Sequence, residues 1–564
     1  MTRQKLEYTL RALPGSLAWL MLIWMALFSA IAPDMVAYVL LGYAVYWVFR
    51  TFSHMVRLFI SFFYVQKDIQ VDWEQRYANL SSPEVQKTAD RLKLEIDAWK
   101  QKHHISTRPL HGIAKVWSWI FWAFAFMRHQ EDFRAVVNMK EEYEGIVRYV
   151  SDPAAPPVGQ LEHLVIVPVY KETMAVLEPT LEHLMHVDFP LSRVHILFAM
   201  ESADPHAEQA KQLIMDYAKG RLPNLYFSFH PLKPGEVAGK SANQAYAIGW
   251  FRREILRAGR INSANLIVTS LDADYRMHPG YFADLSVNYA SDPERAVHIY
   301  QPIPMFFNNI WKVNVFARVQ SALGTQIQMA RQLNYRENRS WSSYAVAYNS
   351  VTEAGDWDVD VIQEDSRLFW KVYFRFGHRV RIAPLFLPVF GDAVHGRTYL
   401  TAMRNLYEQI RRWAWGASDV PYVIMRCVEH TEIPLKERFS ASWEVITNYF
   451  NWATLPFILG VGTLLPLQIN PHFAQTVMGY NLPVFTSRLL TFTSVVMVIF
   501  IWIDATLSPK RPAHWTPWRK SWTYLQWLMM PVMGILFSAL PALDAQTRLM
   551  MGKDLDYKVT EKGI

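Results

Sequence analysis

Cysteine is almost missing from this chain. Cys427 stands alone among 564 residues, which excludes an intramolecular disulfide and any cysteine-rich metal site, and nothing about it implies an oxidising compartment. Neither a Gly-rich P-loop nor a G-x-G-x-x-G fingerprint follows any of the predicted strands, so the two commonest glycine-built phosphate cradles are set aside. No internal repeat and no low-complexity segment interrupts the sequence. The long apolar runs carry almost no charge, with Arg488 and Asp504 lying near their ends. A transporter would place ionisable groups inside its spans.

What is there divides in two. Hydrophobic residues reach 51% and aromatics 14%, yet 19% of residues are charged. The mean hydropathy of zero is therefore the average of a membrane part and a soluble part. At this length two to four structural units are expected. The formal charge of +7 comes from basic residues beside the apolar runs, where anionic headgroups attract them. No nucleic-acid partner is expected from it.

Segments 16–32 and 35–48 flank a Pro33-Asp34 break and read as a helical hairpin, each long enough to span once its flanks are counted. Arg3, Lys5 and Arg11 ahead of the first run would also suit a signal peptide, but the immediate second run argues against cleavage. Two further spans are expected at 443–467 and 485–507, and a fifth apolar stretch, 522–543, is interrupted by Pro531 and Pro541. The Pro33-Asp34 turn and the loop 468–482 lack Lys and Arg. The N-terminal tail, the segment with Arg50, Arg57 and Lys67, and the loop with Lys510, Arg511, Arg519 and Lys520 are basic. Those basic segments are expected to face the cytosol, with everything between the second and third spans. The tail carrying Arg548, Lys553, Lys558 and Lys562 would then be cytosolic too, which conflicts with a single fifth crossing unless 522–543 is re-entrant.

Between the apolar ends the pattern changes. Residues 71–99 are polar with helical periodicity, and 116–127 is a Trp- and Phe-rich stretch better suited to the interface than to spanning. Pro153, Pro156 and Pro157 read as a linker. Short Val- and Ile-rich runs follow at 163–169, 195–200, 225–229, 265–271 and 296–300, with helical patterns between most of them. That alternation predicts an α/β domain on a doubly wound, mostly parallel sheet. Its ligands would lie beyond the carboxyl ends of the strands.

Three clusters near such ends can carry chemistry. Asp272-Ala273-Asp274 closes an apolar run, and two carboxylates so spaced suit Mg²⁺ or Mn²⁺ shared with phosphates. A solvated turn looks the same. Gln363-Glu364-Asp365 opens an amphipathic run, where the acids serve either a helix dipole or a cleft as general base. Gln409-Ile410-Arg411-Arg412-Trp413 is either a basic interfacial helix or an Arg for a diphosphate beside a Trp that stacks on a sugar.

The order of these stations carries more than any one of them. Pro168-Val169-Tyr170-Lys171-Glu172, an acid after the second strand, Lys240 opening a helix, Asp272-Ala273-Asp274, Glu364-Asp365 and the Gln-x-x-Arg-Trp pentad follow one another over 161–420. In this the chain resembles the membrane-bound branch of the inverting family 2 glycosyltransferases, which includes cellulose, chitin and hyaluronan synthases and ceramide glucosyltransferase. The resemblance implies a GT-A domain flanked by membrane helices. It places Tyr170, Glu172, Glu201, Lys240 and Asp272 at the nucleotide-sugar donor, with Glu201 where many members have Asp. It also implies Asp274 and Asp272 at the metal, Asp365 as catalytic base with Glu364 beside it, and Gln409, Arg412 and Trp413 around the diphosphate and acceptor. Gln363 departs from the usual Thr. Gly355-Asp356-Trp357 is expected to form an acceptor-side loop, though an ordinary turn would look the same, and Trp357 and Trp415 could stack on sugar rings, with ordinary packing the default for each.

The units implied are a hairpin at 1–67, a helical and interfacial region at 68–158, the GT-A domain at 159–395, the pentad and interfacial helices at 396–440, and a membrane region with a basic tail at 441–564. The expected activity is inverting, metal-dependent sugar transfer at the cell (inner) membrane, with the catalytic domain in the cytosol. A processive polysaccharide synthase is the first expectation and a single-addition glycolipid synthase the second. An inactive transporter or scaffold is the reading from another class.

Overall fold

The computed structural model describes residues 3–103 and 130–555. The Trp-rich stretch 116–127 lies outside them, as do Lys558 and Lys562 of the basic tail.

Eight strands form one sheet in the order β3-β2-β1-β4-β7-β6-β8-β5. They are β1 (Glu162–Val169), β2 (Val194–Glu201), β3 (Leu225–His230), β4 (Leu266–Ser270), β5 (Arg276–Met277), β6 (Ile299–Met305), β7 (Tyr344–Ala347) and β8 (Ile382–Phe390). The pairs β1–β2, β1–β4, β2–β3 and β6–β8 are parallel. The other three are antiparallel, because β7 and β5 run against their neighbours. Four of the five expected strands are present; the fifth, expected at 296–300, begins only at Ile299 and runs to Met305 as β6, and β5, β7 and β8 were not foreseen. Two residues of β5 give no pattern to read, and β8 carries Pro384 and Pro388, which argue against a strand interior.

Both faces of the sheet are covered, so its strands are apolar almost throughout rather than alternating. Along β1, Leu164 and Ile166 pack into one core while Val165, Val167 and Val169 pack into the other. Leu197 and Ala199 against Ile196, Phe198 and Met200 repeat this on β2. Such strand periodicity sends alternate side chains to opposite faces.

The Pro-containing segment is no free linker. Arg295 donates to the Asp152 carboxylate and to the carbonyl of Ala154 at 3.1 Å, pinning the chain to the domain just before β1.

Among the described residues, four helices towards the ends of the chain are long and apolar enough to cross a membrane by length and composition: Lys5–Ile31, Pro33–Asp68, Val477–Leu507 and Pro517–Met550. A bent pair, Leu435–Gly460 and Gly462–Ile469, makes a fifth if taken as one span, with a 43° break between its halves. The break therefore falls in the stretch 443–467, expected as a span, whereas the Pro-interrupted stretch 522–543 lies within one candidate span. Pro531 and Pro541 sit in the first turns of Met530–Gly534 and Leu540–Met550, where a missing N–H costs little.

Candidate functional site

The carboxyl ends of β1, β2 and β4 open on one edge, where register brings remote residues together. Parallel pairing of β1 with β4 sets Ile166 beside Ser270, so the loop after Val169 and the Asp272 turn leave the sheet on the same side. Antiparallel pairing sets Ser270 beside Tyr344, which delivers the segment before β7 to the same place.

Lys240 is the hub of the charges there. It opens the helix Lys240–Glu254 after Gly239, whose φ of 145° suits glycine alone. Its Nζ lies 2.8 Å from Asp272 Oδ1 and 2.7 Å from Glu364 Oε1, and it donates to the carbonyl of Ser342 at 2.5 Å. Burial works against the ammonium, but the two carboxylates outweigh it and hold its pKa well above the ordinary lysine value. One ammonium shared by two acids leaves Glu364 partly uncompensated, and burial pushes its carboxyl up to about 7.

That shift has a measurable sign. A carboxyl that holds its proton more tightly in the fold than in the unfolded chain stabilises the fold at low pH, and the stabilisation is lost as pH rises through about 7. Glu364→Gln, neutral throughout, should flatten this part of the thermal-stability profile between about pH 5 and about pH 7.5. An unchanged slope would remove Glu364 as its source.

Asp365 follows on the first turn of the helix Glu364–Phe376, where acids are favoured by the exposed N–H groups and the dipole. Its Oδ2 accepts the N–H of Ser342 at 2.8 Å and its Oδ1 that of Ser366 at 2.7 Å. Burial raises its pKa, against the pull of the Ser342 N–H.

Ser342 is the residue the sequence did not flag. Its N–H reaches Asp365, its carbonyl Lys240, and its Oγ donates to Asp272 Oδ2 at 2.6 Å while accepting from the Tyr275 hydroxyl at 2.9 Å. It does so at φ 49°, left-handed backbone that a non-glycine residue adopts rarely and usually at functional sites. Ser340 donates to the carbonyl of Asp365 at 2.6 Å, and Ser343 Oγ accepts the N–H of Asp272 at 3.3 Å. A serine-rich loop before a short strand gives no sequence signal of this. Gly391 packs against the Tyr275 ring so closely that a Cβ would displace it.

At the other end of the cleft the Tyr170 N–H donates to the Glu172 carboxylate, and Lys171, at φ 64°, donates its N–H to Asp204 Oδ2 at 3.0 Å. Glu201 is only 3% exposed and accepts from Asn243 Nδ2 at 3.3 Å. Burial raises its pKa.

Gln409, Arg412 and Trp413 lie on the helix Tyr399–Ala414, capped by a Thr398–Thr401 box. Gln409 and Arg412, three residues apart, share one helix face. The Arg412 carbonyl accepts from Gln363 Nε2, so the residue that departs from the usual motif joins the acidic helix to the pentad. The Trp413 ring lies 6.3 Å from that of Phe306. Arg411 turns elsewhere and pairs with Asp544 of the C-terminal helix at 3.0 Å.

Trp357 corrects its expectation. It is 3% exposed, lies in the core, and donates Nε1–H to the Tyr344 hydroxyl at 2.7 Å, so its faces are taken by protein. Trp415 is 6% exposed and equally committed to packing. Asp356 beside Trp357 pairs with Arg252 at 2.7 Å.

Among the described residues no group of three or more His, Cys, Asp or Glu side chains is arranged to hold a metal ion. Asp272 and Asp274 are a two-carboxylate, all-oxygen donor set. Such a set fits a Mg²⁺-like cation that takes its other ligands from phosphates and water.

Residues 267–543, just under half of the chain, match the family model described as glycosyl transferase family group 2. The matched segment contains Asp272 to Asp274, Glu364-Asp365 and the pentad but not the stations from Tyr170 to Lys240. Among curated proteins none matches in sequence. Among solved structures, the mannosyltransferase PcManGT from Pyrobaculum calidifontis in complex with GDP-Man and Mn²⁺ is similar over 69% of this chain and 92% of that one, at 16% identity and TM-score 0.36. S. aureus TarS 1-349 in complex with UDP-GlcNAc is similar over 70% and 93%, at 13% identity and TM-score 0.34.

Proposed function

We propose that this chain is a membrane-embedded, inverting family 2-like glycosyltransferase that takes a sugar from a nucleotide-sugar donor, with a UDP-sugar as first choice. The family match supports a family 2-like glycosyltransferase. The observation that carries the chemistry is Asp365, held by two backbone N–H groups at the same cleft edge as the Lys240–Asp272 pair. Each Asp365 oxygen keeps a lone pair for the acceptor hydroxyl, and its raised pKa makes it the stronger base. The acceptor oxygen attacks the anomeric carbon as its proton passes to Asp365. The bond to the diphosphate breaks on the opposite face, and the nucleoside diphosphate leaves. Asp272 and Asp274 would hold a divalent ion, which when bound supplies positive charge to the departing diphosphate. Lys240 and Arg412 offer fixed positive charge on the same side of the reaction.

Ser342 ties the two halves of this site. Ser342→Ala keeps the N–H to Asp365 but loses the bond to Asp272, so the half-saturating donor concentration should rise about tenfold with turnover little changed. Ser342→Pro removes the N–H and cannot adopt a positive φ, so turnover itself should fall. Equal kinetics in both variants would dismiss the role.

Candidate membrane helices at both ends, with Leu20, Leu27, Phe49, Phe52, Val495 and Val498 exposed along them, support a bilayer location. Arg50, Arg57, Lys510 and Arg519 favour a cytosolic catalytic domain by the excess of Lys and Arg in cytoplasmic segments, and our reading puts the protein in the cell membrane. The acceptor is a growing glycan in the reading we favour. The four or five candidate spans among the described residues are few to surround a polymer, and this favours a lipid acceptor as the second reading.

The test uses the protein in native-like membranes with Mg²⁺ or Mn²⁺ and labelled UDP-glucose, UDP-N-acetylglucosamine and GDP-mannose. A high-molecular-weight labelled product identifies a processive synthase, and a small solvent-extractable one a glycolipid synthase. No nucleoside diphosphate released from any donor with any acceptor extract would reject the proposal.

A further inference from the structure

Where the candidate span Pro33–Asp68 meets the α/β domain there is a cavity of about 210 Å³. Its wall comes from the last turn of that span, the helices Trp73–Ser81, Gln130–Ser151 and Tyr281–Ala290, and strand β8. Most of its charges answer one another. Lys67 lies 2.6 Å from Asp68 and also pairs with Glu141, Arg76 lies 3.6 Å from Glu142, and Glu144 turns to Lys140 at 3.7 Å. Asp284 is the exception. It is 1% exposed; its Oδ1 accepts from Asn288 Nδ2 at 2.5 Å, and its Oδ2 has no hydrogen-bond partner among the described residues. Burial raises its pKa well above the ordinary carboxyl value, Asp68 adds to this, and Arg76 and Lys67 only partly offset it. A positive group at Oδ2 would favour the carboxylate. Further along the same side, Ser291 is 5% exposed, and its Oγ also lacks a partner among the described residues. The Ser291 carbonyl accepts from Arg148 Nε at 3.3 Å, and Arg148 itself is exposed.

We propose that this cavity seats a phosphoethanolamine group, its ammonium at Asp284 Oδ2 and its phosphate at Ser291 Oγ and the Arg148 guanidinium. Asp284 and Ser291 stand two helical turns apart on one face, which sets their positions roughly 10 Å from each other along the axis. A phosphoethanolamine hydrogen-bonded at both ends covers that length, and its two charges match the acid at one end and the arginine at the other. A quaternary ammonium has no N–H to give Oδ2. A metal ion is not favoured either, since no group of three ligating side chains is arranged for one among the described residues. Val287, Leu385 and Phe386 add apolar wall, which suits the methylenes. The same chemistry is offered by a phospholipid headgroup and by a soluble phosphate ester. Tyr64, Lys67 and Asp68 bring the end of the candidate span to the cavity, within reach of a headgroup. Binding here does not rest on the glycosyltransferase reading. An occupant would tie the end of the span to the helix Tyr281–Ala290, which follows the Asp272–Asp274 turn and β5.

The experiment is hydrogen–deuterium exchange of the full-length protein in nanodiscs of phosphatidylcholine and phosphatidylglycerol, reading peptides over 141–148 and 281–291. In discs where phosphatidylethanolamine replaces part of the choline lipid, protection of both peptides should rise about tenfold, while β1 peptides stay unchanged as the fold control. Glycerophosphoethanolamine added to discs without that lipid is the soluble arm. A response to the lipid assigns the headgroup as the source, and a response confined to the soluble arm assigns a free ester; either result supports the site. Asp284→Asn and Arg148→Gln should each weaken the response about tenfold. Arg148 is exposed, so its variant carries the test should Asp284→Asn fail to fold. No response in either arm would overturn the proposal. So would an equal response to spermidine, which would mark a site for cations at large, or an undiminished response in either folded variant. Sugar transfer is not read in this experiment, so its absence from every donor would remove the glycosyltransferase reading and leave the site standing.

Discussion

Asp365→Asn should lower the turnover of sugar transfer by about 10²–10⁴-fold, the usual contribution of a positioned general base. Nucleotide affinity should stay within about threefold, because the amide removes charge and basicity without changing volume. The Asp365 carboxylate accepts from the Ser342 and Ser366 N–H groups. An amide at this position keeps one acceptor oxygen for one of those donors and turns an NH₂ towards the other. Some slackening of the 340–343 loop is therefore expected, and nucleotide binding by calorimetry separates it from the chemical loss. A variant that retains more than about a tenth of wild-type turnover would show that the proton leaves by another route.

The second large effect is on stability. Arg367, two residues after the proposed base, lies 2.8 Å from Asp419 Oδ1 and 3.2 Å from Asp358 Oδ2, with its guanidinium 4.1 Å from the Tyr422 ring centroid. Asp419 is 1% exposed, and its other oxygen accepts from Ser366 Oγ at 2.6 Å. This group clamps the helix Glu364–Phe376 to the helix Asp419–Glu429, just beyond the pentad. Arg367→Met would leave the buried Asp419 carboxylate facing the Ser366 hydroxyl without the guanidinium that offsets its charge. Breaking such a pair costs about 3–5 kcal/mol, and the thermal midpoint should fall by roughly 5 °C or more. Arg367→Met with Asp419→Leu should recover much of that loss, since a matched apolar pair leaves no stranded charge. If the double variant melts no higher than the single one, charge burial is not the cause.

Ser342 shows best why part of the site was illegible in the sequence. It lies 70 residues from Asp272 and 23 from Asp365, and it meets both because β7 runs antiparallel beside β4. Neither the four-residue strand nor its direction leaves a periodic trace. Trp357 fails in the opposite sense: a Trp after Gly-Asp looks like an exposed loop ring, yet the turn folds inward and the ring fills the core. The bend near Val461 and the accommodation of Pro531 and Pro541 were likewise hidden. A proline signals trouble only when it falls outside the first turn of a helix, and composition does not say where the turns begin.

The sequence by itself determined the pieces: apolar runs at both ends, four strands closely and a fifth approximately from their Val- and Ile-rich runs, and the ordered acids, Lys240 and pentad on which the proposed function draws. These are local properties, set by hydrophobic spacing and residue chemistry over a few residues. Only the tertiary structure decided which of them touch. It placed one ammonium between Asp272 and Glu364, raising the Glu364 carboxyl. It aimed two N–H groups at Asp365. Those outcomes depend on strand order, register and burial, and so on contacts between residues far apart in the chain.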